Sequence, residues 1–384
     1  MALASCTCMR THRRPGKCRN EATQFSREIQ STIKSANFAS WATLSFSFLL
    51  LDQIHNQTTI MSGPLDTVKD FASSLTGQAT ASTEKGEFSK PSEFPTETQR
   101  GRGVGLQSDM KKQPATNLQE AEDGFTHYKA AGKLAGKSAL VTGGDSGIGR
   151  SVAVMYAMEG AHVAIIYLPE EEQDAQETSR LCQKFGGKPA ICKPCDIRSE
   201  TEVNTTIASI ISAFGGTLDI LVNNASVMYD TKALTDISTD QFDRTVKTNV
   251  YGTFFVTRAA LPSIPKGGNI IVTVSQVAYS GSPTLLDYSM TKGAGVAFVR
   301  SLSQNLLEKG IRVNGVAPGP VWTPLQPAAM DEETLSEWHK SPAPMGRIGQ
   351  PSELGPAYVF LASQDGSFIS GQTIHVNGGK VVNS

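Results

Sequence analysis

Tyr288 and Lys292 stand four positions apart in the stretch Tyr288-Ser289-Met290-Thr291-Lys292. On a helix that spacing puts both side chains on one face. A phenol is a poor base near neutral pH, because its ordinary pKa is about 10. An ammonium ~6 Å away, at an effective dielectric of ~20, favours the phenolate by roughly 3 kcal/mol, or about two pKa units. That would bring Tyr288 into range for general acid–base work on a carbonyl or alcohol. The pattern is common, and a Tyr and a Lys on a helix usually form a half-buried aromatic beside a solvated charge. The catalytic reading therefore rests on what accompanies the pair.

Residues 137–142 read as a short buried strand, followed by Gly143-Gly144-Asp145-Ser146-Gly147-Ile148-Gly149 and a helical pattern from Arg150. Strand, glycine turn and helix in that order are the context in which such a loop binds a dinucleotide. Glycines let the backbone approach a pyrophosphate, and the helix N-terminus offers free N–H groups and positive potential. The next apolar run, residues 161–167, should end near the adenosine ribose. There an acidic residue selects NAD, and an arginine accepts the 2′-phosphate of NADP. Tyr167-Leu168-Pro169 stands at that place and does neither. Glu170, Glu171 and Glu172 read as a solvated helix start rather than a cofactor clamp. Asp145 would repel a 2′-phosphate and Arg150 would attract one, so the residues leave the cofactor open.

With these motifs assembled, the chain resembles the short-chain dehydrogenase/reductase family over roughly residues 136–384. The family's Thr-Gly-x-x-x-Gly-x-Gly is matched by Thr142, Gly143, Gly147 and Gly149. Asp196, after the apparent strand 189–192, matches the Asp that holds the adenine amino group. Asn223-Asn224-Ala225 matches Asn-Asn-Ala-Gly, with Ser226 in place of the last glycine. Asn249, Ser275, Tyr288 and Lys292 match the catalytic set, and residues 318–323 match the loop that contacts the nicotinamide carboxamide. Several stretches resemble the branch of glucose/ribitol dehydrogenase-like proteins and NADPH-dependent aldehyde reductases.

The resemblance implies that Tyr288 gives or takes the substrate proton, that Lys292 lowers its pKa and bonds the nicotinamide ribose, that Ser275 holds the substrate oxygen, and that Asn249 anchors a water linking Lys292 to solvent. It implies a cofactor site of Thr142, Gly143, Ser146, Gly147, Ile148, Gly149, Tyr167, Asp196, Asn223, Ala225, Lys292, Pro318, Gly319, Val321 and Thr323. The cofactor would be NADP or NAD, with NADP favoured by the resemblance alone. It also implies a homo-dimer or homo-tetramer. The alternative is a catalytically idle NAD(P)H-binding sensor or scaffold, which the complete catalytic set disfavours. Residues 323–350 should form a lid, a common device for excluding water. Gln276, Tyr279, Trp322 and Leu325 are the candidate substrate-lining residues, suited to a small aldehyde, ketone, sugar or polyol.

The elements that must position these groups alternate between apolar strands and helical patterns. The expected fold is α/β: a doubly wound parallel sheet of Rossmann type, order 3-2-1-4-5-6 plus a seventh strand over residues 373–376. With 384 residues and a net charge of −1, nothing reads as a nucleic-acid footprint. Cys192-Lys193-Pro194-Cys195 has no second pair nearby, so no metal site is expected, and its place beside Asp196 argues against a redox motif. The catalytic domain is expected over residues 136–384, after a leader (1–60) and a stretch with an amphipathic start and a flexible arm (61–135). The leader is Arg-rich at its front and Ser/Thr-rich. It reads either as a segment not normally translated, with Met61 as the natural start and a cytoplasmic protein, or as a mitochondrial transit peptide. Its apolar run, residues 41–51, is too short to span a bilayer. Residues 77–122 have low apolar content and should be disordered or an extended arm.

Overall fold

The computed structural model describes residue 88 and residues 93–100, 104–121, 124–340 and 343–383. The expectations placed on the leader, on the amphipathic run and on the arm before residue 88 lie outside the described residues.

A short antiparallel hairpin, β1 (Leu118–Ala121) and β2 (Gly124–His127), precedes a parallel sheet. The sheet holds β3 (Ser138–Thr142), β4 (His162–Tyr167), β5 (Ile191–Pro194), β6 (Ile220–Asn223), β7 (Asn269–Thr273), β8 (Arg312–Pro318) and β9 (Thr373–Val376) in the order β5-β4-β3-β6-β7-β8-β9. Counted from its own first strand this is 3-2-1-4-5-6-7, the expected doubly wound order. β3 and β7 are buried at every residue. A parallel strand covered on both faces is apolar along its middle, which is why Ala139-Leu140-Val141 and Ile270-Ile271-Val272 read as continuous runs, while the buried polar residues Ser138, Thr142, Asn269 and Thr273 stand at the strand ends.

Alternation sends neighbouring side chains to opposite layers. Val141 packs with Ile165, Tyr156 and Tyr358, beneath α1 (Gly147–Met158), α2 (Glu172–Gly186) and the later α10 (Pro351–Ala362). Leu140 packs with Ile166, Ile207, Val256 and Leu306. That second layer is built by α3 (Glu200–Ala213), α5 (Thr253–Ala260) and α7 (Leu286–Leu306), with α4 (Thr239–Val246) just before α5. A π-helical turn over Lys247–Gly252 joins α4 to α5. Two short helices, α8 (Leu325–Ala329) and α9 (Glu332–Lys340), follow β8, after the one-turn helix α6 (Val277–Ser280) that follows β7. No helix among the described residues is long and apolar enough to cross a membrane.

Two expectations need correction. The strand read at residues 189–192 is β5, two residues later, because its register pairs Ala164 with Ile191 and Tyr167 with Pro194. It is an edge strand, where a proline costs no ladder bond on the open side. The described part of the arm is extended but firmly packed. Phe94 and Met110 are buried with Trp322 and Met330. The Trp322 indole N–H donates to the Lys112 carbonyl at 2.8 Å, and Ala115 N–H donates to Gln350 Oε1 at 2.9 Å. Glu159, fully buried, accepts from the Tyr128 hydroxyl, from Ala131 N–H and from Lys133 N–H. Low apolar content hid this, because polar bonds to the main chain do much of the holding.

Candidate active site

The strand order reverses between β3 and β6, and ligands of doubly wound sheets bind outside the carboxyl ends of strands at such a point. A cavity of about 520 Å³ lies there. The glycine loop forms one wall. Gly147 holds φ +51°, a conformation that favours glycine, and opens α1. Gly149 does not face the cavity. A Cβ there would lie 1.9 Å from the Gly143 carbonyl oxygen, so glycine lets the helix start pack on the loop's own backbone. Thr142 is likewise behind the wall, its hydroxyl accepting from Asn224 N–H and Ala225 N–H at 2.9 Å each. Gly143, Ser146, Ile148, Tyr167, Asp196, Ala225, Pro318, Gly319, Val321 and Thr323 line the cavity.

Ser275, Tyr288 and Lys292 line the same cavity. Ser275 follows β7, and α7 carries the other two one turn apart. Lys292 Nζ lies 5.3 Å from the Tyr288 ring centre and donates to the Thr273 carbonyl at 2.8 Å. The expected electrostatics are reversed. Burial pushes the Tyr288 hydroxyl up to about 12, with a hydrogen bond from Ser275 pulling the other way. Burial brings Lys292 down to about 7. The simple two-charge argument took the lysine as charged and ignored the cost of keeping that charge away from water.

Several assigned residues sit elsewhere. Asn249 lies in the π-helical turn. Its Oδ1 accepts from Val227 N–H at 2.8 Å, and its Nδ2 donates to the Val227 carbonyl at 2.9 Å and to Thr291 Oγ1 at 3.0 Å. It therefore ties the loop after β6 to α7 instead of facing the cavity. Asn223 points away and donates to Thr257 at 2.9 Å. Asn224 takes its place on the wall, bonding the carbonyls of Thr142 and Gly143 at 3.1 Å each. Strand alternation at the end of β6 was the available signal. Of the substrate candidates only Leu325 lines the cavity. Trp322 is 1% exposed and packs on Phe94 and His339. Tyr279 stacks on His375 beside a separate cleft, and Gln276 is outside the cavity too. The sequence missed Met228, Gln326, Ala328 and Ala329, and it missed Arg100, Val104 and Gly105 of the arm, for which it carries no signal.

The acidic and basic groups near the ribose end also differ from expectation. Arg150 is 4% exposed and is spent on the Asp145 carbonyl at 2.7 Å and on Asp174 at 3.1 Å, so it is not offered to a 2′-phosphate. Glu172 accepts from the Tyr167 hydroxyl at 2.6 Å, while Glu171 lines the cavity with Asp145. Burial, then the nearby Asp145, push the Glu171 carboxyl up to about 9. Cys182, Cys192 and Cys195 are free thiols, and no cluster suited to a metal ion occurs among the described residues.

The site's make-up fits a dinucleotide. It combines a glycine-bounded wall at a helix N-terminus with a long lined cleft. Comparisons with known proteins agree. Residues 143–380 match the family model described as enoyl-(acyl carrier protein) reductase. A glucose and ribitol dehydrogenase homolog of Oryza sativa subsp. japonica is 45% identical over 304 residues, 76% of this chain and 98% of that protein. An NADPH-dependent aldehyde reductase 1, chloroplastic, of Arabidopsis thaliana is 44% identical over 290 residues, 73% of this chain and 100% of that protein. A solved short chain dehydrogenase from Burkholderia cenocepacia J2315, in complex with NADP, superposes with a TM-score of 0.59 at 31% identity, covering 64% of this chain and 98% of that one. The chain thus belongs to the short-chain dehydrogenase/reductase family and is an NAD(P)-dependent oxidoreductase.

Proposed function

We propose that the protein interconverts a small carbonyl compound and its alcohol, with Tyr288 as general acid and base. The observation that carries this reading is the convergence of Ser275, Tyr288 and Lys292 on the cavity that the glycine loop also lines. Ser146 and Ile148 would hold the cofactor's diphosphate, with Gly143 and Gly147, whose N–H groups are bonded to Ile166 and Gln107, giving it room; Tyr167 and Asp196 would hold its adenosine, and Pro318, Gly319, Val321 and Thr323 its nicotinamide end. Bound NADP or NAD supplies or accepts the hydride.

The chain's own residues handle the proton. Burial keeps the Tyr288 hydroxyl protonated at neutral pH, so it enters as an acid able to protonate a carbonyl oxygen. Ser275, which bonds the phenol, would hold the same oxygen. Lys292, near its own midpoint at neutral pH, can return a proton to Tyr288. Asn249 acts as a positioning residue through the Val227 loop.

The substrate end combines Ser275 and Tyr288 with the apolar Met228, Leu325, Ala328 and Ala329. A small aldehyde, ketone, sugar or polyol suits it. The named relatives support the aldehyde and polyol readings. Tyr251 and Phe254, 50% and 45% exposed near the start of α5, and Met290, 64% exposed on α7, support a surface covered by further copies of the chain.

The test offers NADPH and NADH with short aldehydes, and NADP and NAD with glucose and ribitol. Turnover should appear in one arm and fall by about 10²- to 10⁴-fold in Tyr288→Phe, with cofactor affinity within about twofold of the parent. A Phe variant that keeps most of its rate would sink the assignment.

A further inference from the structure

The arm that precedes the family's segment is built into the cofactor cavity. Val104 and Gly105 line it beside Gly147, Thr323 and Pro324, and Arg100 lines it toward α8. The Gln99 side chain holds the main chain of Leu106. Its Nε2 donates to the Leu106 carbonyl at 2.8 Å, and its Oε1 accepts from Leu106 N–H at 2.6 Å. Two contacts set these residues against Pro324 and Pro327. Gln99 N–H donates to the Pro327 carbonyl at 2.8 Å, and Gly105 lies so close to Pro324 that an added Cβ would come within 2.2 Å of its carbonyl oxygen.

The far end is fastened to the glycine loop. Gln107 is 2% exposed, and its Oε1 accepts from Gly147 N–H, the first amide of α1, at 2.8 Å. That amide is one of the donors a helix start leaves without an internal partner. Ser146, at the cap position, supplies no side-chain bond of its own. The same stretch is anchored from below. Asp174 Oδ2 accepts from Gln107 N–H at 2.6 Å and its Oδ1 from Ser108 N–H at 2.9 Å. Asp174 is also the partner of Arg150, whose Nε holds the Asp145 carbonyl. One buried ion pair therefore carries both the arm and the glycine loop. Gln107 itself is not on the cavity wall, and the cavity keeps its 520 Å³ with the arm in place. The arm borders the site without filling it.

We propose that residues 104–107 form a strap beside the diphosphate stretch of the cofactor, and that Gln107 is a positioning residue whose bond to Gly147 keeps the strap shut and slows cofactor release. The inference rests on a dinucleotide occupying this cavity. Closure and binding are then reciprocal: the strap retains the cofactor by the factor with which the cofactor retains the strap.

The test uses the full chain. Dissociation of NADPH and NADH is followed by stopped-flow fluorescence on displacement with excess oxidised cofactor. Gln107→Ala should speed release about fivefold, the scale of one hydrogen bond, and raise the cofactor KM alike. The single-turnover reduction rate at saturating cofactor should stay within about twofold. Gly105→Ala, which must push the strap off Pro324, should act in the same direction. On the unaltered protein, tryptic cleavage after Lys111 should slow by a similar factor when cofactor is bound. A lowered Tm with unchanged release, a slower release in either variant, or cleavage indifferent to cofactor would each overturn the strap. Wild-type protein that binds neither dinucleotide would overturn both this inference and the reading it rests on, whereas bound cofactor with unchanged release overturns the strap alone.

Discussion

Lys292 is held at a cost that should be measurable. Its ammonium is buried, and its pKa falls from 10.5 to about 7. At about 1.4 kcal/mol per unit, charging it in the folded protein costs about 5 kcal/mol in the low-pH limit. The sign follows from proton counting. Between pH 7 and 10.5 the unfolded chain still binds this proton while the folded one has released it, so stability from this group rises with pH. The penalty is about 4 kcal/mol at pH 7, about 2 at pH 9 and below about 1 at pH 10. Lys292→Met keeps the length and the packing, removes the charge and loses the bond to the Thr273 carbonyl, worth about 1 kcal/mol. The variant should therefore be inactive yet more stable than its parent by about 3 kcal/mol at pH 7, or roughly 6 °C in Tm, with the gap closing by pH 10. Thermal melts of both proteins without cofactor, from pH 6 to 10, read it directly. A gap that is constant across this range, or that widens toward high pH, would refute the burial argument and restore a charged lysine as the ground state.

Two further outcomes follow from the loop and the ribose end. Gly149→Ala would drive a Cβ to 1.9 Å from the Gly143 carbonyl oxygen, and backbone cannot yield as a side chain tip can. Overpacking of that kind costs about 1–3 kcal/mol, so fluorescence titration should show cofactor affinity down about tenfold, and an unchanged affinity would show that the loop is softer than its contacts imply. Glu171 is neutral near pH 7 because burial and Asp145 push it to about 9, so it should begin to repel a 2′-phosphate only as pH rises through that value. The ratio of kcat/KM for NADP over NAD should fall above pH 9 in the parent and stay flat in Glu171→Gln; parallel profiles would remove Glu171 from cofactor choice.

The parts legible in the sequence are those dictated by local geometry. β3, β4 and β7 announced themselves because burial on both faces keeps their middles apolar, and the four-residue step from Tyr288 to Lys292 needed only a helix. β5 was displaced by two residues because it is a half-exposed edge, where apolar runs carry less information. The side to which a residue points was harder. Asn223 and Asn224 are adjacent and alike, and only the last residue of β6 decides between them. Trp322 was read as a candidate substrate-lining residue, yet it is 1% exposed and packed on Phe94 and His339. Its indole partner is Lys112, 210 residues earlier, which no local pattern reveals. The reversed pKa shifts belong to the same class, since burial is a property of the assembled cavity.

The packing of the arm also bears on where the chain can be cut, tagged or fused. The family model's match begins at residue 143, but the relatives align over 73–76% of this chain, which takes in part of the arm. A chain shortened to that boundary would leave the Trp322 indole N–H, the Glu159 carboxylate and the Gln350 amide without these partners, and would leave Asp174 with Arg150 alone. It would also uncover the apolar face on which Phe94 and Met110 lie. Each stranded buried group costs about 1–3 kcal/mol, and together they approach the whole net stability of an ordinary domain. A protein engineer moving this fold into another chain would have to carry the arm along, and would place any fusion joint upstream of Phe88, whose N–H donates to Glu120 and whose ring packs on Phe125.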